Sequence, residues 1–596
     1  MRKILLLITF ILMAMHIHAV KINPIPFSVT QSDGTTIMIK GYGDENFHWY
    51  TTVDGAIVDQ VGQNYYIANI DDNGNITASR QLAHEKNIRN ILEKKIISNQ
   101  DKELFYNHAL NNIAQAKTSI SSASDTINYF PHIGLPKVLV ILVNFSDTTF
   151  KEKNPKLSFN QYLNGTGSPV NYGTREDRNI GSVADYFNYI SNGNFRPEFD
   201  LIGPVTVSQP SSYYGKDSYN ITDYNWSQLI IDACKAAKDS ADFSQYDSDN
   251  DGKIDLIYVI YAGYSQSIGK NNSDFLWPKS GIIYPLTTYN GKNIRRAGIS
   301  NELNYTPGFS AKNKQYYING IGLFCHEFSH TLGLPDFYSG SASRPEMEFW
   351  DLMDGGEYTG DDVGYAPTPY TPWEKEVMGW QDIDTLKDDS AAVTLEANNA
   401  AYKILSSDTA QYAIIQNIQK TGWYAGMPGH GMLIYKVDYP YPTVNMNDKP
   451  NQASIPAMTI YPADEKLVSS YSVNNNNITY DDYLASMEGD PFPGINSITQ
   501  IDSIPLNDDT VDNKTINITI KKPIYDIVEN TDNGVVTFSY LKKGISTGIH
   551  NHFTFSGKTV NGDKVYSIDG IYIGKWGDVY LQPGIYIVNR KKIIIR

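Results

Sequence analysis

Hydrophobic and polar positions follow different rhythms in successive parts of the 596-residue chain. From Pro24 to about Gln81, short alternating pieces such as "GTTIMIKGYGDENFHWYTTVDGAIV" and "NYYIANIDDNGNITA" are broken by Asp-Gly and Asn-Gly, which predicts a small module of hairpins. In "HEKNIRNILEKKIISNQDKELFYNHALNNIAQAK", residues 84–117, Ile and Leu recur at helical spacing among charges. The polar stretch "TSISSASDT" has no period, so residues 117–130 are expected to form an exposed, cleavable linker. The run "KVLVILVNF", between Pro136 and Asp147, has the form of a buried strand opening a new domain. "SVADYFNYISNG" and "WSQLIIDACKAAKDSA" have helical periods, and "YDSDNDGKIDLIYVIYAGY" predicts an acidic loop followed by a buried strand. Beyond Trp380 the pieces "YAIIQNIQ", "GMLIYKVDY", "TINITIKK" and "NGVVTFSYL" are strand-like without long helices, as in a β-sandwich.

The length exceeds what one core supports, and 41% hydrophobic with 19% charged residues describes a folded chain. A net charge of −16 without Lys/Arg clusters argues against nucleic-acid binding. The opening "MRKILLLITFILMAMHIHAV" places Arg2 and Lys3 before an apolar run and the small Ala19 after it, the pattern of a secretory signal. No run approaches the roughly 20 apolar residues that cross a bilayer. Cys234 and Cys325 are the only cysteines, so disulfides cannot be the framework; one bridge or two free thiols both fit.

The chemistry concentrates in "FCHEFSHTLGLPDFY", residues 324–338. His326 and His330 stand at i and i+4, on one helix face, with Glu327 beside them, which is the spacing of a zinc site. A catalytic zinc takes three protein ligands and keeps one position for water. Gly333 lets the helix end, Pro335 prevents its continuation, and Asp336 then offers the third ligand; Glu346, Glu348 and Glu357 are the competing carboxylates. Glu327 is the expected general base and acid for a zinc-activated water attacking a peptide carbonyl. Cys325 points about 100° away around the helix and is expected in the core.

In "DSDNDGKID", Asp247, Asp249, Asp251 and Asp255 occupy positions 1, 3, 5 and 9 of a calcium loop, with Gly252 at the turn and the Lys253 carbonyl at position 7. Position 12 is Tyr258 rather than a bidentate Glu, so a structural calcium there would be held by an incomplete set.

"HEFSHTLGLPDFY" resembles the zinc signature of the immune inhibitor A family of secreted bacterial metallopeptidases, within the metzincin clan. "FWDLMDGGEY" is similar to that clan's methionine turn and implies Met353 beneath the metal; no Tyr stands two residues after it to act as a fifth ligand. "KVLVILVNFSD", "SVADYFNYIS", "TPWEKEVMGW" and "GHGMLIYKVDY" extend the resemblance over most of residues 22–540. It implies an α+β multidomain chain: a signal peptide at 1–19, a β-rich propeptide at 20–130, a metzincin-like catalytic domain at 131–383, a β-sandwich at 384–543 and a β module at 544–596. The last module resembles the sorting modules of exported bacterial proteins, and implies secretion or cell-surface attachment. The implied product is a zymogen acting on polypeptides. With no cysteine between residues 20 and 133, Asp44, Glu45, His48 or simple bulk is left to block the metal. A surface adhesion protein with a non-catalytic metal site, and a zinc amidase or esterase for small substrates, are the competing readings. Glu327 argues against the first, because a purely structural zinc needs no base.

Overall fold

The computed structural model describes residues 17–596 apart from 24, 45–46, 110–128, 167–179, 218–221, 268–273, 305–316, 340–346, 361–363, 389–391, 408–409, 442, 449, 452–455, 473–477, 512–513, 544–563, 568–571, 577–583, 589–590 and 596. The signal segment up to residue 16, most of the expected linker, Glu45 and Glu346 therefore lie outside the described residues.

The N-terminal module is a six-stranded antiparallel meander, Phe27–Thr30, Thr36–Gly43, His48–Thr52, Ile57–Val61, Asn64–Ile70 and Ile76–Leu82, each strand paired to the next. Its turns fall at the Asp54-Gly55 and Asn73-Gly74 pairs. Helix Ile91–Ser98 follows, started by an Asn90–Glu93 capping box. The helical spacing after residue 84 thus becomes two pieces, because Asn99 ends the first and a second covers 102–109.

The central domain is built on a mixed sheet. Lys137–Asn144 lies between Glu198–Thr206 and Ile257–Tyr261, parallel to both, and Ile257–Tyr261 is parallel to Lys292–Asn301. Lys279–Tyr289 turns back antiparallel through Asn290-Gly291 and carries Ile17–Ala19 antiparallel on its outer edge. Both faces of the sheet are covered, as the unbroken apolar run predicts. Val138, Val140 and Leu142 face a core with Phe324, Cys325 and Met353, whereas Leu139, Ile141 and Val143 face helix Trp226–Ala237 and Cys234. The sheet therefore separates the two cysteines, and both are buried and free.

Residues 384–541 form a five-stranded sheet (Asp384–Thr385, Ala401–Leu405, Tyr412–Ile418, Gly431–Val437, Met458–Ile460) and a three-stranded one (Ala392–Leu395, Val535–Tyr540, Ile524–Asn530). Ile404, Ile415 and Ile434 of the first share a core with Leu395, Ile524 and Val536 of the second. The strand-only expectation is modified by helix Tyr480–Glu488, capped by Thr479 and Asp482. These parts cluster as one compact unit through Gly544. Residues 545–596 are a separate unit with a four-stranded sheet.

Candidate active site

Helix Ile321–Leu332 is buried along its whole length and presents His326 and His330 from one face. It stops at Gly333, whose φ of 111° is left-handed backbone that glycine adopts without strain, and whose N–H returns to the His330 and Ser329 carbonyls. The chain then reverses through Pro335 and brings Asp336 Oδ1 to 3.3 Å from His326 Nε2 and 3.2 Å from His330 Nε2. One ligand atom from each residue lies within 4.8 Å of the others, and all three residues are buried.

The backbone sets the tautomers. His326 Nδ1 lies 2.8 Å from the Leu352 carbonyl and His330 Nδ1 2.8 Å from the Leu334 carbonyl, so each Nδ1 carries the proton and each Nε2 is left as the donor to a metal. Burial holds the His326 imidazole below the usual pKa, in the neutral form that a cation binds. Two imidazoles presenting Nε2 and a carboxylate around one point fit a tetrahedral zinc with an open position. Met353 lies fully buried on the turn that supplies the Leu352 carbonyl, and its own carbonyl accepts from Phe337 N at 2.8 Å. That turn is thereby tied to the first histidine and to the residue after Asp336.

Of the competing carboxylates, Glu348 accepts from Ser470 N and Tyr483 Oη. Glu357 approaches His326 from the opposite nitrogen, with Oε2 3.8 Å from Nδ1. It gets so close because Gly322 leaves room: a Cβ there would meet the Glu357 carbonyl at 2.1 Å.

Glu327 is fully buried, and its Oε1 accepts from Val20 N at 3.1 Å. The Val20 carbonyl accepts from Trp277 Nε1 at 2.8 Å and the Lys21 carbonyl from Tyr358 Oη at 2.6 Å. Ile17–Ala19, just before, pairs with Lys279–Gly281 of the sheet edge. Ser280 Oγ donates to the Glu327 carbonyl at 2.6 Å, locking that edge to the helix. An extended polypeptide thus crosses the site with its main chain held on both sides of Glu327. Two of the side chains named as possible blockers of the metal are engaged elsewhere. Asp44 Oδ1 caps its own loop at Phe47 N, and His48 packs on Trp277 with its ring centroid 5.2 Å away. Sequence reasoning missed Val20, Lys21, Trp277 and Tyr358. The one available signal was Asn290-Gly291 between two strand-like runs, which marks the hairpin that forms the sheet edge.

At the acidic loop, Asp247, Asp249 and Asp255 offer carboxylates within 4.8 Å of one another. Asp251 turns instead to Lys253, with Nζ 2.5 Å from its Oδ2, and Lys292 Nζ lies on Asp247 Oδ2. Burial alone would raise the Asp247 pKa, but the Lys292 hydrogen bond and backbone donors outweigh it and hold the carboxyl below its usual range. Tyr258, at position 12, is buried in strand Ile257–Tyr261.

Residues 132–382 match the family described as immune inhibitor A peptidase M6, catalytic domain. The chain is 27% identical over 274 residues to immune inhibitor A of Bacillus thuringiensis subsp. alesti, a match covering 40% of this chain and 39% of that protein. It is 21% identical over 272 residues to the pre-pro-metalloprotease PrtV of Vibrio cholerae serotype O1 (strain M66-2), covering 41% of this chain and 29% of that protein. The chain thus spans well under half the length of these relatives.

Proposed function

With residues 132–382 matching the immune inhibitor A peptidase M6 catalytic domain, we propose that this chain is a secreted zinc endopeptidase made as a zymogen. One juxtaposition supports the reading most. A buried two-histidine, one-aspartate cluster stands next to Glu327, and an extended polypeptide lies across Glu327 with a backbone N–H on its carboxylate. Small-substrate amidases have no use for main-chain contacts on both sides of the base.

Zinc held by His326, His330 and Asp336 would polarise the peptide carbonyl and acidify a water. Glu327 would accept a proton from the attacking water and return it to the departing nitrogen, at the place where the Val20 nitrogen now donates to its carboxylate. Trp277 Nε1 and Tyr358 Oη align the substrate main chain, and the edge Lys279–Gly281 receives the part before the scissile bond as an added strand. In the exported, uncut chain residues 20–22 fill this cleft beside Glu327, so the N-terminal module acts as a propeptide that shields by occupying it. The signal peptide ends at Ala19, and the 545–596 unit serves sorting or surface attachment. A calcium ion at Asp247, Asp249 and Asp255 fixes the strand after the loop.

The test compares cleavage of an unfolded protein by wild type and Glu327→Ala, uncut and trimmed near residue 130, with and without a zinc chelator. Activity confined to trimmed, zinc-loaded wild type is expected. Equal cleavage by the mutant would refute Glu327 as base, and full activity of the uncut chain would refute latency.

A further inference from the structure

The residue after Val20 carries its side chain into a buried acidic pocket. Lys21 is 3% exposed; its Nζ lies 3.2 Å from Asp354 Oδ1, 3.7 Å from Glu348 Oε2 and 4.8 Å from the centroid of the Tyr471 ring. A third acid, Glu357, is fully buried beside them, and the charges of Asp354 and Lys21 both act on it. The pocket walls come from the region after the zinc helix and from Tyr471 and Tyr483. They are rigidly built: Asp354 Oδ2 accepts from Met347 N at 2.9 Å and Glu348 N at 2.7 Å, and Glu348 accepts from Ser470 N and Tyr483 Oη. Glu348 keeps a left-handed backbone with φ of 52°, a conformation that persists only where its surroundings enforce it. Lys40, the other lysine of the N-terminal module here, donates to the Ser470 carbonyl at 2.9 Å at the pocket's rim.

Carboxylates buried this deeply are stabilised by a cation, and Lys21 supplies one to Asp354 and Glu348 only while the N-terminal segment is in place. The register then assigns the pocket a position along a substrate. Val20 N stands on Glu327 where the leaving nitrogen would be, with Ala19 on the sheet edge before it, so Lys21 is the second residue beyond the bond under attack.

We propose that Glu348, Asp354 and Glu357, with Tyr471, form a substrate subsite for a Lys or Arg side chain two residues to the C-terminal side of the cleaved bond, and that Lys21 occupies it as a substrate side chain does. The proposal rests on the peptidase reading above. Arg, with a flat guanidinium, suits both the ring and the paired carboxylates.

Two measurements test it. The zinc-loaded full chain, activated by limited proteolysis of its linker, is given a peptide library, and cleavage products are sequenced. Lys and Arg are expected at the second position after the cut, preferred over Met by about tenfold or more, and Glu357→Gln should shrink that ratio severalfold. Cleavage with no basic preference there overturns the subsite alone. Failure of the wild type to cleave any peptide overturns the peptidase reading, and the subsite with it. Thermal unfolding of the uncut chain gives the second, activity-free readout, with Lys21→Met and Glu357→Gln made singly and together. Lys21→Met should lower the melting temperature less in the Glu357→Gln background than in wild type. Additive effects would show that the pocket does not recognise the lysine charge, and would overturn the proposal.

Discussion

Among the described residues, two clusters of side chains could hold a metal ion, and they differ in how they manage charge. At the zinc helix, His326 and His330 are fully buried and Asp336 nearly so, and each imidazole nitrogen not aimed at the cluster centre is tied to a backbone carbonyl. At the acidic loop, Asp249 is exposed, and Lys292 and Lys253 already neutralise Asp247 and Asp251. A buried set of oriented donors has no solvent to fall back on, so a cation there is worth far more than at a solvated loop with its own lysines. On the proposed reading, the difference separates a catalytic centre from a loop that at most braces a strand.

The sharpest break in this comparison is chemical. Glu327→Ala in the trimmed enzyme should cut peptide cleavage by about 10²–10⁴-fold while zinc content stays at wild type; loss of zinc as well would make Glu327 a ligand instead of a base. Next in size, Asp336→Ala should reduce bound zinc, measured by atomic absorption, by about 10-fold or more in affinity, whereas Asp255→Asn leaves zinc content unchanged. Equal zinc loss in both would erase the distinction between the clusters. Calcium removal is expected to lower the melting temperature of wild type by a few degrees and that of Asp247→Asn by less, read by differential scanning calorimetry. An identical response in the two would leave the loop as an ordinary acidic turn.

The smallest effect concerns the buried acid pair Asp351 and Glu374. Burial raises the pKa of Asp351, and the neighbouring Glu374 charge adds to the rise; burial also pushes Glu374 up to about 7. An acid whose folded pKa lies above its unfolded value of about 4.3 favours the fold in its protonated form. Its penalty is therefore absent at low pH and grows as pH rises from about 4.5 to 7. Melting temperature should fall modestly across that window, and Glu374→Gln should flatten the slope, since an amide oxygen can still cap Thr371 N. A wild-type slope unchanged by the substitution would sink this assignment.

Much of the site was readable before any tertiary contact. His326, Glu327 and His330 are placed by helical periodicity, and Gly333 and Pro335 dictate the stop that returns Asp336, all within eleven residues. Asp247, Asp249 and Asp255 are likewise gathered by a local loop, although the escape of Asp251 to Lys253 was not legible, since the competing cation is a side chain with its own rotamer choices. The meander and its Asp-Gly and Asn-Gly turns followed from alternation. Helix Tyr480–Glu488 was missed because the strand-like pieces around it dominate the pattern, although Thr479 and Asp482 spell its cap.

What the sequence by itself determined, then, is each element whose cause is local: a period, a cap, a turn residue, a four-residue spacing. Only the tertiary structure decided what lies in the cleft. Val20 meets Glu327 across 307 positions and Lys21 meets Asp354 across 333, and neither residue carries a local mark of its partner. Those contacts exist because the edge Lys279–Gly281 leaves backbone groups that an extended strand must satisfy. Buried carboxylates at the end of that strand are stabilised by a cation, and no pattern along the chain records which one arrives.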